Sequence, residues 1–152
     1  MAPRKLKIAC AGLGRMGKRH ALHFLNRTPR AELVAASTPD DEEIQWAKQH
    51  LEPYGVRLYK DYDEMLKQEG LQAVVIASVT TVHAEQAIKA IEANLHVLCE
   101  KPLSTSIEIV RIPKQIFAKQ KLTPNFLVAK CSRRSSEETQ SQSDVWFLPA
   151  IR

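Results

Sequence analysis

No run of apolar residues in this 152-residue chain approaches the roughly 20 that a membrane-spanning helix needs, so no membrane partner is expected. The start, "MAPRKLKIACAGLG", is basic, but its apolar stretch is short and runs straight into glycines. A strand leading into a turn explains it better than a signal peptide does. Cysteine is sparse. Cys10, Cys99 and Cys131 share no C-x-x-C spacing and cannot all pair, which argues against a disulfide framework and against a metal site. Cys10 and Cys99 sit in apolar, strand-like runs, where cysteine behaves as a small buried hydrophobe. That suits a reducing, cytoplasmic setting. A basic folded body is also lacking. The net charge is +5, but residues 1–111 carry 15 Lys and Arg against 14 Asp and Glu, while residues 112–152 carry 7 against 3. Nucleic-acid binding needs a basic face on the body, so nucleic acid is not an expected partner. A binder working through the tail alone would show salt-dependent affinity that vanishes on deleting residues 112–152.

What is present is the composition of one soluble globular domain, 44% hydrophobic and 26% charged. Short apolar runs at 6–12, 31–37, 56–59, 71–78 and 96–100 read as strands. Between them lie helical patterns at 15–26, 39–51, 61–70 and 81–95, and a further capped helix starts at 104. "PDDEEIQWAKQHL" opens with proline and acids, which the positive end of a helix favours. Strand and helix alternate through short links. The pattern is α/β, a Rossmann-type doubly wound parallel sheet with right-handed crossovers and helices on both faces. The regularity stops near Arg111. Residues 1–111 read as this Rossmann-type domain and 112–152 as a divergent, partly disordered basic tail. There Pro113 breaks the last helix, "NFLVAKC" offers a sixth strand, and 132–144 is a polar loop.

The chain has five glycines, and three of them fall together in "CAGLGRMGKRH" as G-x-G-x-x-G. The stretch follows a strand and opens a helix, the context a dinucleotide-binding turn requires. Gly12 would permit the tight turn, Gly14 a close approach to a pyrophosphate, and Gly17 tight packing of helix on strand. The helix start would offer free N–H groups to the phosphates. The plainer alternative is a strand–turn–helix with no ligand. At the end of the second strand, where an acid would hold the ribose of NAD, the chain reads "ASTPDDE". Ser37 and Thr38 lack the carboxylate that repels a 2′-phosphate, which leans towards NADP. Yet no Arg or Lys follows, and Asp40 and Asp41 lie close by, so the choice between NAD and NADP stays open.

The stretch "VVIASVTTVHAEQAIKAIEANLHVLCEKPLSTS" (74–106) is more specific. Together with "GLGRMG" it resembles the Gfo/Idh/MocA family of NAD(P)-dependent oxidoreductases over residues 6–111, the family's N-terminal cofactor domain. The resemblance implies that Lys101 of "EKP" lies near the nicotinamide and the substrate hydroxyl as the catalytic group. It implies that Glu100 orients Lys101 and that Pro102 sets the chain direction. Ser78, Thr80 and Thr81 would meet the cofactor's ribose or nicotinamide edge. His83 would either join them or serve as a helix-start residue bonding to backbone. Arg15 and Met16 would lie beside the pyrophosphate or ring. Family members continue into a second domain that binds a sugar- or inositol-like alcohol, often builds an oligomer, and supplies a catalytic Asp and His. No residue here takes those two roles, so this chain is expected to bind NAD or NADP with little or no turnover alone. The alternative in another class is a non-catalytic dinucleotide-binding module that senses or scaffolds.

Overall fold

A computed structural model describes residues 5–103 and the strand at 126–128. Six strands, β1 (Leu6–Ala11), β2 (Ala31–Ser37), β3 (Arg57–Tyr59), β4 (Ala73–Ile76), β5 (His96–Cys99) and β6 (Phe126–Val128), form one sheet in the order β3-β2-β1-β4-β5-β6. Every neighbouring pair is parallel. The chain builds leftward from β1 to β3, then crosses to β4 and builds rightward. The switch point therefore lies between β1 and β4, where ligands bind beyond the strand ends in open sheets of this kind. Four helices connect the strands: α1 (Arg15–Arg27), α2 (Asp41–His50), α3 (Tyr62–Leu66) and α4 (His83–Glu92).

Strand residues alternate between the two faces, and both faces are dry. Cys10, Leu33 and Ala36 pack with Ala21 of α1 and Ala47 of α2. Ala9, Ala11, Val74, Ile76 and Val97 pack on the other side with Met65 of α3 and Ala87, Ala90 and Ile91 of α4. Alanine on these contact faces lets the helices approach the sheet closely. β4 is buried at all four residues, as its unbroken apolar sequence requires. An apolar groove of about 340 Å³, lined by Leu6, Ile8, Phe24, Ala73, Val75 and Leu98 among others, centres on β1, β4 and β5.

The sixth strand expected from "NFLVAKC" is present at Phe126–Val128, hydrogen-bonded to β5. The expected helix at 104–111, the break at Pro113 and the polar stretch 132–144 lie outside the described residues. Several expected elements are shorter than their sequence patterns, α3 and α4 among them. α3 stops at Leu66 because polar turn bonds take over, from Gln68 N–H to the Met65 carbonyl and from Leu71 N–H to the Gln68 carbonyl; Gly70, at φ +72°, lies within that turn. The helix expected from residue 81 begins as a 3-10 turn, Thr80–Val82, and becomes α-helical only at His83. Among the described residues, no helix is long and apolar enough to cross a membrane.

Cys10 and Cys99 are free, buried thiols, and burial is the largest cause raising each from 9.0 to about 12. Thiols react as thiolates, so both should resist alkylation in the native chain at pH 8 and react fully in urea. Peptide mapping after iodoacetamide reads each site separately. Labelling of either within minutes in the folded protein would contradict this packing. The sign for stability follows from the same shifts. The folded state holds these protons more tightly than the unfolded chain, so stability falls as pH rises through the window from 9 to about 12.

Candidate functional site

The ladder extends past the strand ends through four backbone bonds: Gly12 N–H to the Ser37 carbonyl at 2.7 Å, Thr38 N–H to Tyr59 at 3.0 Å, Ala77 N–H to Ala11 at 2.8 Å, and Glu100 N–H to Ile76 at 2.8 Å. These bonds gather the glycine turn, the end of β2, the loop after β4 and the Glu-Lys-Pro turn along one edge of the sheet.

The three glycines of the turn do different work. Gly12 has φ +82°, and a Cβ there would lie 2.4 Å from the Ser78 Cα and 2.5 Å from its N. A Cβ on Gly17 would sit 1.8 Å from the Gly12 carbonyl oxygen. These two let the turn close on itself and on the loop after β4, with the Cys10 thiol beneath it, 3.7 Å from the carbonyls of Gly12 and Gly17. Gly14 is different. It has ordinary extended backbone, and a Cβ there would meet only the Glu43 carboxylate, at 3.5 Å. Gly14 is the N-cap of α1 and gives its first turn no side-chain acceptor, and that turn holds no acid. Its leading N–H groups, at Arg15, Met16 and Gly17, have no acceptor one turn earlier in the helix. Uncapped donors at the positive end of a helix, beside open space, fit a pyrophosphate. Arg15 is exposed and Met16 half-buried at this mouth.

At the end of β2, Ser37 and Thr38 are buried. Thr38 Oγ1 donates to Glu43 Oε2 at 2.5 Å, and the Leu13 N–H donates to the same oxygen at 3.2 Å. The strand end is therefore not free of negative charge, as Ser37 and Thr38 had suggested: α2 supplies a carboxylate from five residues further on. Asp40 caps α2, accepting from Glu43 N–H at 2.9 Å. Asp41 is exposed and pairs with Lys60, whose hydrogen bond lowers its pKa. The Asp40-x-x-Glu43 spacing has capping-box form, in which the glutamate reaches back to the cap's own N–H. Here it reaches further, to Thr38 and Leu13.

Beyond β4, Ser78 Oγ donates to Gln86 Oε1 at 2.6 Å. Thr80 is half-buried and Thr81 exposed. His83 is 2% exposed, and its ring bridges two carbonyls, Pro102 O from Nδ1 and Ser78 O from Nε2, each at 2.9 Å. It clamps the loop after β4 to the Glu-Lys-Pro turn and has no ring nitrogen left over. Glu100 Oε1 lies 2.6 Å from His20 Nε2 of α1, while its Oε2 accepts from the Lys101 N–H at 3.3 Å. The Glu100 carboxylate thus holds α1 and the backbone of the turn. The Lys101 side chain is exposed and has no hydrogen-bond or ion-pair partner among the described residues. His20 and Glu43 were missed by sequence reasoning. Each meets its partner across a long gap in sequence, Glu43 across 30 residues and His20 across 80.

A parallel sheet of this strand order, with an uncapped glycine turn at its switch point, defines a dinucleotide-binding Rossmann domain. The family model described as an oxidoreductase family with an NAD-binding Rossmann fold matches residues 6–126, and the chain belongs to that family, Gfo/Idh/MocA. The chain is 33% identical over 105 residues to scyllo-inositol 2-dehydrogenase (NAD(+)) of Bacillus subtilis, an alignment covering 68% of this chain and 30% of that protein. It is 36% identical over 103 residues to myo-inositol 2-dehydrogenase of Thermotoga maritima, covering 67% and 30%. Among solved structures, scyllo-inositol dehydrogenase from Lactobacillus casei with bound NAD(H) and scyllo-inositol superposes with a TM-score of 0.74 at 34% identity, covering 82% of this chain and 36% of that one. The WlbA dehydrogenase of Bordetella pertussis, in complex with NADH and UDP-GlcNAcA, gives 0.68 at 30% identity, covering 76% and 33%. The chain spans about 30% of the length of these curated relatives.

Proposed function

We propose that this chain is the cofactor-holding part of an NAD(H)-dependent dehydrogenase that acts on a ring-shaped polyol or sugar. The observation that carries the reading is one edge of the sheet. It combines an uncapped helix start at Gly14 with an exposed Lys101, unpartnered among the described residues, at the neighbouring strand end. The inositol dehydrogenases and the sugar-nucleotide dehydrogenase among the relatives support the substrate class. In this reading the N–H groups of α1 hold the pyrophosphate, and Thr80 and Thr81 line the path to the nicotinamide. When bound, the cofactor supplies a hydride acceptor. The Lys101 ammonium donates a hydrogen bond to the substrate oxygen and so stabilises the negative charge that builds there as hydride departs, the hydroxyl proton passing to a general base of the kind the family carries in its second domain. The Glu100–His20 pair and the His83 bridge keep the backbone on either side of Lys101 from shifting. Ser37 and Thr38 border the adenosine ribose. The buried thiols support a reducing, cytoplasmic setting.

The test is hydride transfer, followed as absorbance of the reduced nicotinamide with scyllo- and myo-inositol as substrates. Any turnover should fall about 10²–10⁴-fold in Lys101→Met while NADH affinity stays within a few-fold, because the lost hydrogen bond to the substrate oxygen acts on the chemical step. Unchanged turnover in Lys101→Met would remove the lysine from its role.

A further inference from the structure

We propose that Glu43, a residue of helix α2 and not of the strand end, makes this site select NAD(H) against NADP(H). The inference rests on the dinucleotide reading above. In sheets of this topology the adenosine ribose lies at the end of the second strand, where a carboxylate accepts from its 2′-hydroxyl. The strand end here offers only Ser37 and Thr38. Glu43 fills the vacancy from outside. Its Oε2 is fixed by two donors, Thr38 Oγ1 at 2.5 Å and the Leu13 N–H at 3.2 Å, the second of which belongs to the glycine turn itself. Its Oε1 has no hydrogen-bond partner among the described residues and is the atom nearest to a Cβ built on Gly14, at 3.5 Å. The carboxylate therefore spans the corner between the end of β2 and the turn, with one oxygen anchored and the other free to accept.

The charges around this corner favour the same cofactor. A 2′-phosphate would bring negative charge against an anchored carboxylate, and its usual counter-charge is missing. No lysine or arginine occurs between Arg30 and Lys48. Of the cations nearby, Lys60 is paired with Asp41, and Lys18 lies over the Trp46 ring, 5.1 Å from its centroid. Arg15 stands at the start of α1, on the pyrophosphate side of the turn. Thr38 acts as a positioning residue here. Its hydroxyl accepts from the Asp40 N–H at 3.3 Å, which turns its own proton towards Glu43.

The experiment titrates the full 152-residue chain with NADH, with NADPH, and with NADH lacking the adenosine 2′-hydroxyl, following nicotinamide fluorescence. The unmodified chain should prefer NADH over NADPH by about tenfold or more, and should bind the 2′-deoxy form about tenfold more weakly than NADH. In Glu43→Gln the preference for NADH should shrink by about tenfold, mostly through tighter NADPH binding. Glu42→Gln removes the same formal charge from the same helix turn without freeing a cation, and should leave the ratio unchanged. The 2′-deoxy comparison needs no variant, so it stands even where Glu43→Gln fails to fold. An unmodified chain that binds both cofactors equally, or a ratio unmoved in Glu43→Gln, overturns the role of Glu43 and leaves the dinucleotide reading in place. A chain that melts cooperatively yet binds none of the three overturns the dinucleotide reading itself.

Discussion

A Gly17→Ala chain is expected to lose about 3 kcal/mol of stability or more, enough to move a urea midpoint by about 1–2 M in a domain of this size. Helix propensity alone argues the opposite, since alanine in place of a helical glycine gains about 1 kcal/mol. The structure decides the sign. The new Cβ would sit 1.8 Å from the Gly12 carbonyl oxygen and 2.7 Å from its carbon, and both are backbone atoms of a turn already pressed against Ser78. No rotamer relieves that overlap, so α1 must lift from the sheet, which opens the contacts of buried Ala21. Equilibrium unfolding in urea measures the effect. An unchanged or raised midpoint would mean that the turn is looser than described.

Gly14→Asp is expected to do the reverse: leave the fold intact and remove the ligand. The backbone at Gly14, φ −63° and ψ −168°, suits any residue, and a Cβ there meets only the Glu43 carboxylate, at 3.5 Å, an ordinary contact. Aspartate is a favoured helix N-cap where glycine is a weaker one, which offsets its repulsion by Glu43, so the melting temperature should change little. The added carboxylate would meanwhile take the first-turn N–H groups of α1 and place a negative charge where the pyrophosphate is expected. NADH affinity should fall about a hundredfold or more, equivalent to about 2.7 kcal/mol. Loss of binding with a retained melt separates this glycine from Gly17, although both belong to one motif. Equal NADH affinity in the variant and the parent would contradict the assignment of the turn.

These two glycines also show how far sequence reasoning reached. Local pattern carried the topology: alternating apolar strands and amphipathic helices with short links leave few arrangements other than a parallel doubly wound sheet. The G-x-G-x-x-G spacing and the Glu-Lys-Pro motif pointed to one edge of the sheet, and the fold brings both there, because motif residues lie at fixed offsets from a strand end. Element ends were less legible. "DYDEMLKQEG" reads as ten helical residues, but turn bonds at Gln68 and Leu71 cut α3 to five. The residues that set the site's electrostatics were not legible at all. Asp40 and Asp41 drew attention as the acids nearest β2, yet one caps its helix and the other pairs with Lys60. Glu43 reaches the corner only because α2 folds back over the strand end, and His20 finds Glu100 only because the fold brings α1 to the turn after β5. Contacts of that kind depend on the packed geometry and leave no periodic trace in the chain.

The central claim is that the edge formed by the glycine turn and the Glu-Lys-Pro turn holds a nicotinamide dinucleotide. The most direct measurement is a titration of the purified, unmodified chain with NADH, following nicotinamide fluorescence beside a urea melt of the same preparation. Saturable binding, abolished in Gly14→Asp, is the result this account predicts. A cooperative melt with no saturable binding would contradict it, and the family's fold would then persist here without the family's cofactor.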